Sequence, residues 1–150
     1  MRKSSKLSAA SPFFCKLLQS DMKENREGIV RFEEISGAVM EDVLEFIYTG
    51  SVEVLTQENC KDLIAAANYL LIPGLKTVSG RFLERQMSKS NCISTFYFAE
   101  MYQCEELIIN TRKFIHANFA SVAEMDEFLN LEAKEVERWI SSDEINFCCC

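Results

Sequence analysis

The sequence predicts a mainly α fold with a small α+β portion in its first half, and three observations lead to that prediction. Apolar residues recur at helical spacing along most of the 150 residues. Only two prolines, five glycines and several Ser, Thr or Asn caps interrupt this pattern. The composition is 48% hydrophobic and 11% aromatic, which is enough apolar material for a buried core. Disorder is therefore not expected.

The first half should combine short helices with two short extended segments. A Ser-Pro pair is typical of a helix start and predicts a helix over residues 12–20. The β-branched and aromatic run at 29–35 predicts a strand, and residues 51–55 are a second extended candidate. Between them, apolar residues at helical spacing over 39–47 predict a helix that Gly50 stops.

The second half should be wholly helical. Thr56 should cap one helix, and the Ile-Pro-Gly turn at 72–74 should lead into the next. Ser121 and Glu124 have the spacing of a capping box. After the polar stretch 88–91, helical hairpins with short connections are expected, with helices over residues 92–102, 105–118, 121–129 and 131–141.

The charge balance excludes one large class of partner. Sixteen basic and twenty-three acidic residues give a formal net charge of −7, which repels a phosphate backbone. Nucleic acid is therefore not an expected partner. The basic start at residues 1–6 is not followed by the apolar run of a signal peptide, and no stretch is long enough to span a membrane. We expect a soluble protein in the cytoplasm, with the nucleus as an alternative, and no membrane partner.

The seven cysteines do not form a recognisable metal or disulfide pattern. Cys15, Cys60, Cys92 and Cys104 lie far apart, no CxxC pair exists, and His116 is the only histidine. No metal site is predicted. We interpret the four scattered cysteines as small buried apolar side chains in a protein of a reducing compartment.

Enzyme chemistry is not expected either. The glycines are not clustered ahead of a helix, so no phosphate-binding loop and no cofactor are predicted. Serine has no positioned base, because the lone His116 lies within a predicted helix. Adjacent acidic pairs such as Glu33 and Glu34 point in different directions and are interpreted as solvated surface charge. No catalytic residue is predicted.

Several strings resemble the BTB/POZ domain followed by the BACK segment of kelch-like proteins, over nearly the whole chain. Residues 7–14, LSAASPFF, resemble the family's LAAxSPYF, and residues 44–50, LEFIYTG, resemble LxFIYTG. Residues 59–71 are similar to the helix NxxxLLxAAxxLQ. Residues 90–92, SNC, resemble the xxNC that opens the segment after the BTB domain, and residues 98–107 resemble its continuation.

This resemblance implies an architecture and a function. It implies an incomplete BTB/POZ fold followed by BACK-type helical hairpins, with a partial BTB/POZ domain at 1–87, a BACK-type segment at 88–145 and a tail at 146–150. Kelch-like proteins are substrate adaptors of cullin-3 RING ubiquitin ligases. The resemblance thus implies a non-catalytic protein-interaction module with cullin-3 as partner. The alternatives are a BTB scaffold in transcriptional regulation and a dominant-negative or non-functional truncated isoform.

The family's cullin-3 contacts correspond to five positions here. An apolar-any-Glu motif in the loop after the first helix corresponds to Met22 and Glu24, and a thioether can fill a pocket on a helical partner. Tyr48 stands where family members present an aromatic residue to the same partner, with core packing as its alternative role. Phe96 and Tyr97 are candidates in the helix pair that would form a groove wall for the cullin's N-terminal extension.

The departures from the family pattern give further expectations. The strand hairpin and helix that precede AHRxVLAA in a complete BTB domain are replaced by residues 1–6, so homodimerisation should be impaired and a full-length BTB protein is a second candidate partner. Kelch repeats do not follow Ile145. The run Cys148–Cys150 suggests an alternative exon end, with palmitoylation as a second interpretation that no adjacent basic or amphipathic anchor supports.

Overall fold

The structure, a computed structural model, describes residues 7–19 and 32–141. Residues 7–10 are helical, and nine further helices follow within these ranges. The predicted mainly α fold is confirmed, and the described residues contain no strand. In chain order the nine helices are α1 (Pro12–Gln19), α2 (Gly37–Thr49), α3 (Gln57–Tyr69), α4 (Pro73–Arg85), α5 (Cys92–Met101), α6 (Glu105–Ala117), α7 (Phe119–Val122), α8 (Asp126–Leu129) and α9 (Ala133–Ile140).

The predicted extended segments are wrong wherever the structure describes them. Glu33 to Ile35 form bends, and the irregular Phe32 packs its ring against helix α1; residues 29–31 lie outside the described residues. Residues 51–55 are irregular, with Val52 and Leu55 packed against the helical core. In both segments the apolar side chains contact helices, so tertiary packing overrides their β propensity.

Local sequence signals explain where the helices begin and end. The Ser36 hydroxyl accepts the Val39 N–H at 3.3 Å at the start of α2, and Gly50 ends that helix with φ 79°, as predicted. Thr56 caps α3 as predicted, and Asn59 completes a capping box with it. These bonds satisfy backbone groups that a helix end otherwise leaves unpaired.

The chain divides into two compact units, Met1–Phe82 and Leu83–Cys150. The first unit has an aliphatic core with Phe14 as its aromatic member, and helices α1 to α4 supply most of it. Its buried apolar residues are Phe14, Val39, Val43, Leu63, Ala66, Ala67, Leu70, Ile72 and Leu75.

Ser11 connects two distant parts of the first unit. Its hydroxyl accepts the Phe13 N–H at 3.1 Å, which is the predicted N-cap of α1. The same hydroxyl donates to the carbonyl of Leu70, the residue that ends α3. Ser11 is 1% exposed, so one buried side chain satisfies a donor in α1 and an acceptor at the end of α3.

The second unit has a more aromatic core. It contains Phe96, Phe119, Phe128 and Trp139 among the residues supplied by α5 to α9. The single helix predicted over 121–129 is wrong, because α7 and α8 are separate and Met125 between them is extended with ψ 148°. The Phe119 and Phe128 rings stack edge to face at 5.5 Å, which folds α8 back on α7.

Three of the four described cysteines are buried, as the sequence suggested. Cys60 lies in the first unit, Cys92 and Cys104 lie in the second, and Cys15 is half-buried. Burial raises the pKa of both the Cys60 and the Cys92 thiol to about 11. These thiols therefore remain protonated at neutral pH.

Candidate partner-binding surfaces

Before and after the segment that carries two predicted contact residues, the sequence supplies rings that contact one another. Met22 and Glu24 themselves lie outside the described residues. The rings that flank their segment form an aromatic cluster, which consists of Phe13, Phe14, Phe32 and Tyr69.

The aromatic cluster brings the two flanks together. Phe32 lies 6.1 Å from Phe13 and 6.5 Å from Phe14, measured between ring centroids. Tyr69 on α3 lies 5.5 Å from Phe13. Offset and edge-to-face ring pairs at such distances are attractive beyond their buried area. Phe32 is thus held against the start of α1, and the start of α1 is held against α3.

Tyr48 lies near the end of α2 and is 36% exposed. Two residues later Gly50 adopts the left-handed conformation, and its N–H donates to the Phe46 carbonyl at 2.7 Å. Because this cap ends the helix, Tyr48 stands in its last turn with part of its ring at the surface. The contact predicted for Tyr48 stays a prediction, and its ring is accessible enough to make one.

Phe96 and Tyr97 occupy different environments although they are adjacent in α5. Phe96 is 1% exposed, and its ring packs edge to face against Trp139 at 4.7 Å. As a correction to the predicted contact, Phe96 is a core residue and offers no surface to a partner. Tyr97 is half-buried, and its hydroxyl is already bonded within the unit.

The Tyr97 hydroxyl joins α5 to α9. It donates to the Glu135 carboxylate and accepts the Trp139 indole N–H at 3.2 Å. Burial and the bond to Glu135 raise the pKa of Tyr97 to about 12. Tyr97 therefore has a structural role that the sequence did not reveal, and its predicted contact with a partner stays untested.

An arginine of α9 forms a second link between the same helices. Arg138 donates to both carboxylate oxygens of Glu100 on α5, at 2.7 and 3.4 Å. This carboxylate raises the pKa of Arg138. The Arg138 side chain is 50% exposed, so solvent limits the stabilising effect to roughly 1 kcal/mol or less.

Two guanidinium groups lie against one ring in this region. The guanidinium carbons of Arg112 on α6 and Arg138 on α9 lie 5.5 and 5.8 Å from the Phe96 ring centroid. His116 packs edge to face against Trp139 at 6.0 Å. Sequence reasoning named neither arginine. Only the helical spacing of α9, which puts Trp139 on its apolar side, could have indicated this region.

Neither a metal site nor a membrane span is found within residues 7–19 and 32–141. Their His, Cys, Asp and Glu side chains form no cluster of three that could hold a metal ion. None of the helices described has both the length and the apolar character needed to cross a bilayer.

Two family models match this chain. The model of the BTB/POZ domain matches residues 4–87, more than half of the chain. The chain belongs to the BTB/POZ family. The model described as BTB And C-terminal Kelch, the BACK segment, matches residues 92–149. The BTB/POZ match therefore includes helices α1 to α4, and the BACK match includes α5 to α9.

Curated relatives with similar sequences are kelch-like proteins. The chain is 34% identical to Kelch-like protein 2 of Homo sapiens over 139 residues, and 32% identical to Kelch-like protein 40 of Xenopus tropicalis over 140. Kelch-like protein 28 of Mus musculus is 34% identical over 140 residues. Each comparison covers 93% of this chain but only 23 to 24% of the relative, so the chain spans about a quarter of their length.

The family sets the general type of activity. BTB and BACK domains of kelch-like proteins are protein-interaction modules, and proteins of this type are non-catalytic adaptors. Candidate functional residues in this BTB/POZ chain are accordingly those of exposed contact surfaces. Tyr48 meets that requirement directly, whereas Met22 and Glu24 lie outside the described residues.

Proposed function

We propose that the chain is the adaptor part of a cullin-3 RING ubiquitin ligase and contributes binding surfaces without catalysis. The observation that carries the proposal is the order of the two family matches, with BACK at 92–149 directly after BTB/POZ at 4–87. That order favours a ligase adaptor over a transcriptional scaffold, in which linkers and Cys/His fingers would follow the BTB domain. We also propose a cytoplasmic or nuclear location.

The proposed cullin-binding surface lies in the first unit. It combines Met22 and Glu24 with Tyr48, whose ring is exposed at the end of α2. A flexible thioether and an aromatic ring with a polar tip are suited to fill pockets on a helical partner. Glu24 would meet the basic rim of such a pocket. Central contacts of this kind are worth about 2 kcal/mol or more each.

Calorimetric titration of the chain with the cullin-3 N-terminal region tests the proposal. Met22→Ala, Glu24→Ala and Tyr48→Ala should each weaken binding by about 30-fold, the equivalent of about 2 kcal/mol. Glu53→Ala and Val54→Ala are matched controls, because both residues are exposed in the same unit. The controls should bind like the parent chain.

Two outcomes contradict the proposal at different levels. A folded parent chain that does not bind cullin-3 would reject the ligase role and support the transcriptional scaffold. Binding that is unaffected by all three substitutions would instead remove this surface from the contact. Circular dichroism of each variant distinguishes loss of contact from loss of fold.

A further inference from the structure

A pocket of the second unit has features of an anion site that no family match assigns. It has a volume of about 210 Å³ and lies among α5, α6 and α9. Each helix contributes to its lining, which consists of Phe96, Arg112, His116, Arg138 and Trp139. Phe96 and Trp139 are 1% and 4% exposed, so core packing fixes the positions of their rings.

The pocket is positively charged in a chain whose formal net charge is −7. Arg138 already pairs with Glu100, at 2.7 Å. Arg112, by contrast, has no carboxylate partner among the described residues; its contact there is with the Phe96 ring, at 5.5 Å. Arg112 is therefore an exposed guanidinium group of the pocket that pairs with no described carboxylate.

The contact with Phe96 also orients Arg112. A guanidinium over an aromatic face is held by the ring's quadrupole, and its N–H groups remain directed outward in the guanidinium plane. That edge matches the two oxygens of a carboxylate. Because Arg138 lies over the same ring at 5.8 Å, a bound anion would also reduce the repulsion between the two cations.

We propose that this pocket binds the carboxylate of an acidic side chain, presented by a peptide segment of a protein partner. Arg112 holds the carboxylate through paired N–H bonds, and the methylene groups behind it lie in the pocket beside Trp139. A glutamate fits this combination because its side chain has two methylenes between backbone and carboxylate. The site lies in the second unit, so it is separate from the cullin surface proposed above and does not depend on it.

The single tryptophan of the chain gives a local signal for the test, because Trp139 lines the pocket. The complete chain is titrated with the acetylated peptide Gly-Ser-Glu-Glu-Ser-Gly, and Trp139 fluorescence is followed. The same peptide with glutamine in place of both glutamates serves as the neutral comparison. We expect a saturable change with the first peptide and none with the second.

Substitutions at two adjacent positions of α6 distinguish binding in the pocket from a general effect of the protein's net charge. Arg112→Gln should weaken peptide binding about tenfold, which is the effect of losing one charge-assisted pair. Lys113→Gln removes the same charge from an exposed side chain that does not line the pocket, and it should bind like the parent. Arg112→Lys keeps the charge but not the planar fork, so its affinity should be intermediate.

Three results would overturn the assignment. Equal binding of the glutamine peptide would show that the carboxylate is not recognised. Equal losses in Arg112→Gln and Lys113→Gln would show that only the overall charge matters. If Trp139 fluorescence responds to a phosphoserine version of the peptide and not to the glutamate peptide, the pocket binds a phosphorylated partner and not a carboxylate. Each readout is independent of cullin-3 binding, so failure of one proposal leaves the other testable.

Discussion

The two units of the chain are stabilised in different ways. In the first unit, the Ser11 hydroxyl bonds to the Leu70 carbonyl 59 positions away, whereas the side-chain bonds of Ser36, Thr56 and Lys76 join residues no more than eight positions apart. In the second unit, side chains bond across 26 to 42 positions of sequence. Tyr97, Glu135 and Trp139 form the longest of these connections.

This difference indicates what each unit requires of its sequence. An apolar stripe and correct caps suffice to position α2 and α3 in the first unit. The second unit ends in α9, a helix of eight residues, which is too short to be stable alone. Its position depends on the burial of Trp139 and on polar bonds to α5.

Among the tests of this comparison, removal of the Trp139 ring should have the largest effect on the free energy of unfolding. Trp139→Ala leaves a cavity beside Phe96 and removes the bond to Tyr97, so the free energy of unfolding should fall by about 3–5 kcal/mol. Urea unfolding followed by circular dichroism measures it. Ile140→Ala is the control, because the adjacent Ile140 is 52% exposed and should change stability by about 0.5 kcal/mol or less. Equal effects at both positions would show that α9 does not depend on its buried side chain.

Ser11→Ala tests the long-range polar bond of the first unit. It removes the α1 cap and leaves the buried Leu70 carbonyl without this donor, so we expect a loss of about 2–3 kcal/mol. Ser36→Ala removes only an exposed cap and should cost about 1 kcal/mol. The same unfolding experiment compares them. If the two losses are equal, the bond to Leu70 contributes nothing.

The smallest expected effect concerns the Tyr97 hydroxyl and alkaline pH. Its pKa is raised from 10.0 to about 12, so the folded state favours the protonated phenol. The corresponding stability is present below about pH 10 and is lost as pH rises through about 12. Ultraviolet titration should detect one late-titrating tyrosine that disappears in Tyr97→Phe and persists in Tyr102→Phe. A parent chain with the same titration curve as Tyr97→Phe would contradict the raised pKa.

Local signals account for the parts of the fold that the sequence predicted. Thr56 and Gly50 act through bonds within a few residues, so their positions alone define helix ends. The strand at 29–35 was a wrong prediction over residues 32–35, because Phe32 packs against Phe13 and Phe14 of α1. Propensity in a single segment contains no information about such a distant partner.

The candidate site residues show the same limit of prediction from local sequence. The resemblance indicated Tyr48, whose exposure follows from the end of its own helix. Phe96 was named from its place in α5, but consecutive helical residues face different ways, and only the packing of Trp139 shows that Phe96 is buried. Arg112 and Arg138 are 26 positions apart, so no local pattern could bring them to one ring.

In each unit, the alkylation rate of a buried thiol reports how often that unit opens locally. At a pKa of about 11, roughly one thiol in ten thousand is ionised at neutral pH, so Cys60 and Cys92 can react with an alkylating reagent only when their surroundings separate. Cys60 then records fluctuations of the first unit, and Cys92 those of the second. Peptide mapping of the two modification rates would measure the local opening of both halves in one unaltered molecule.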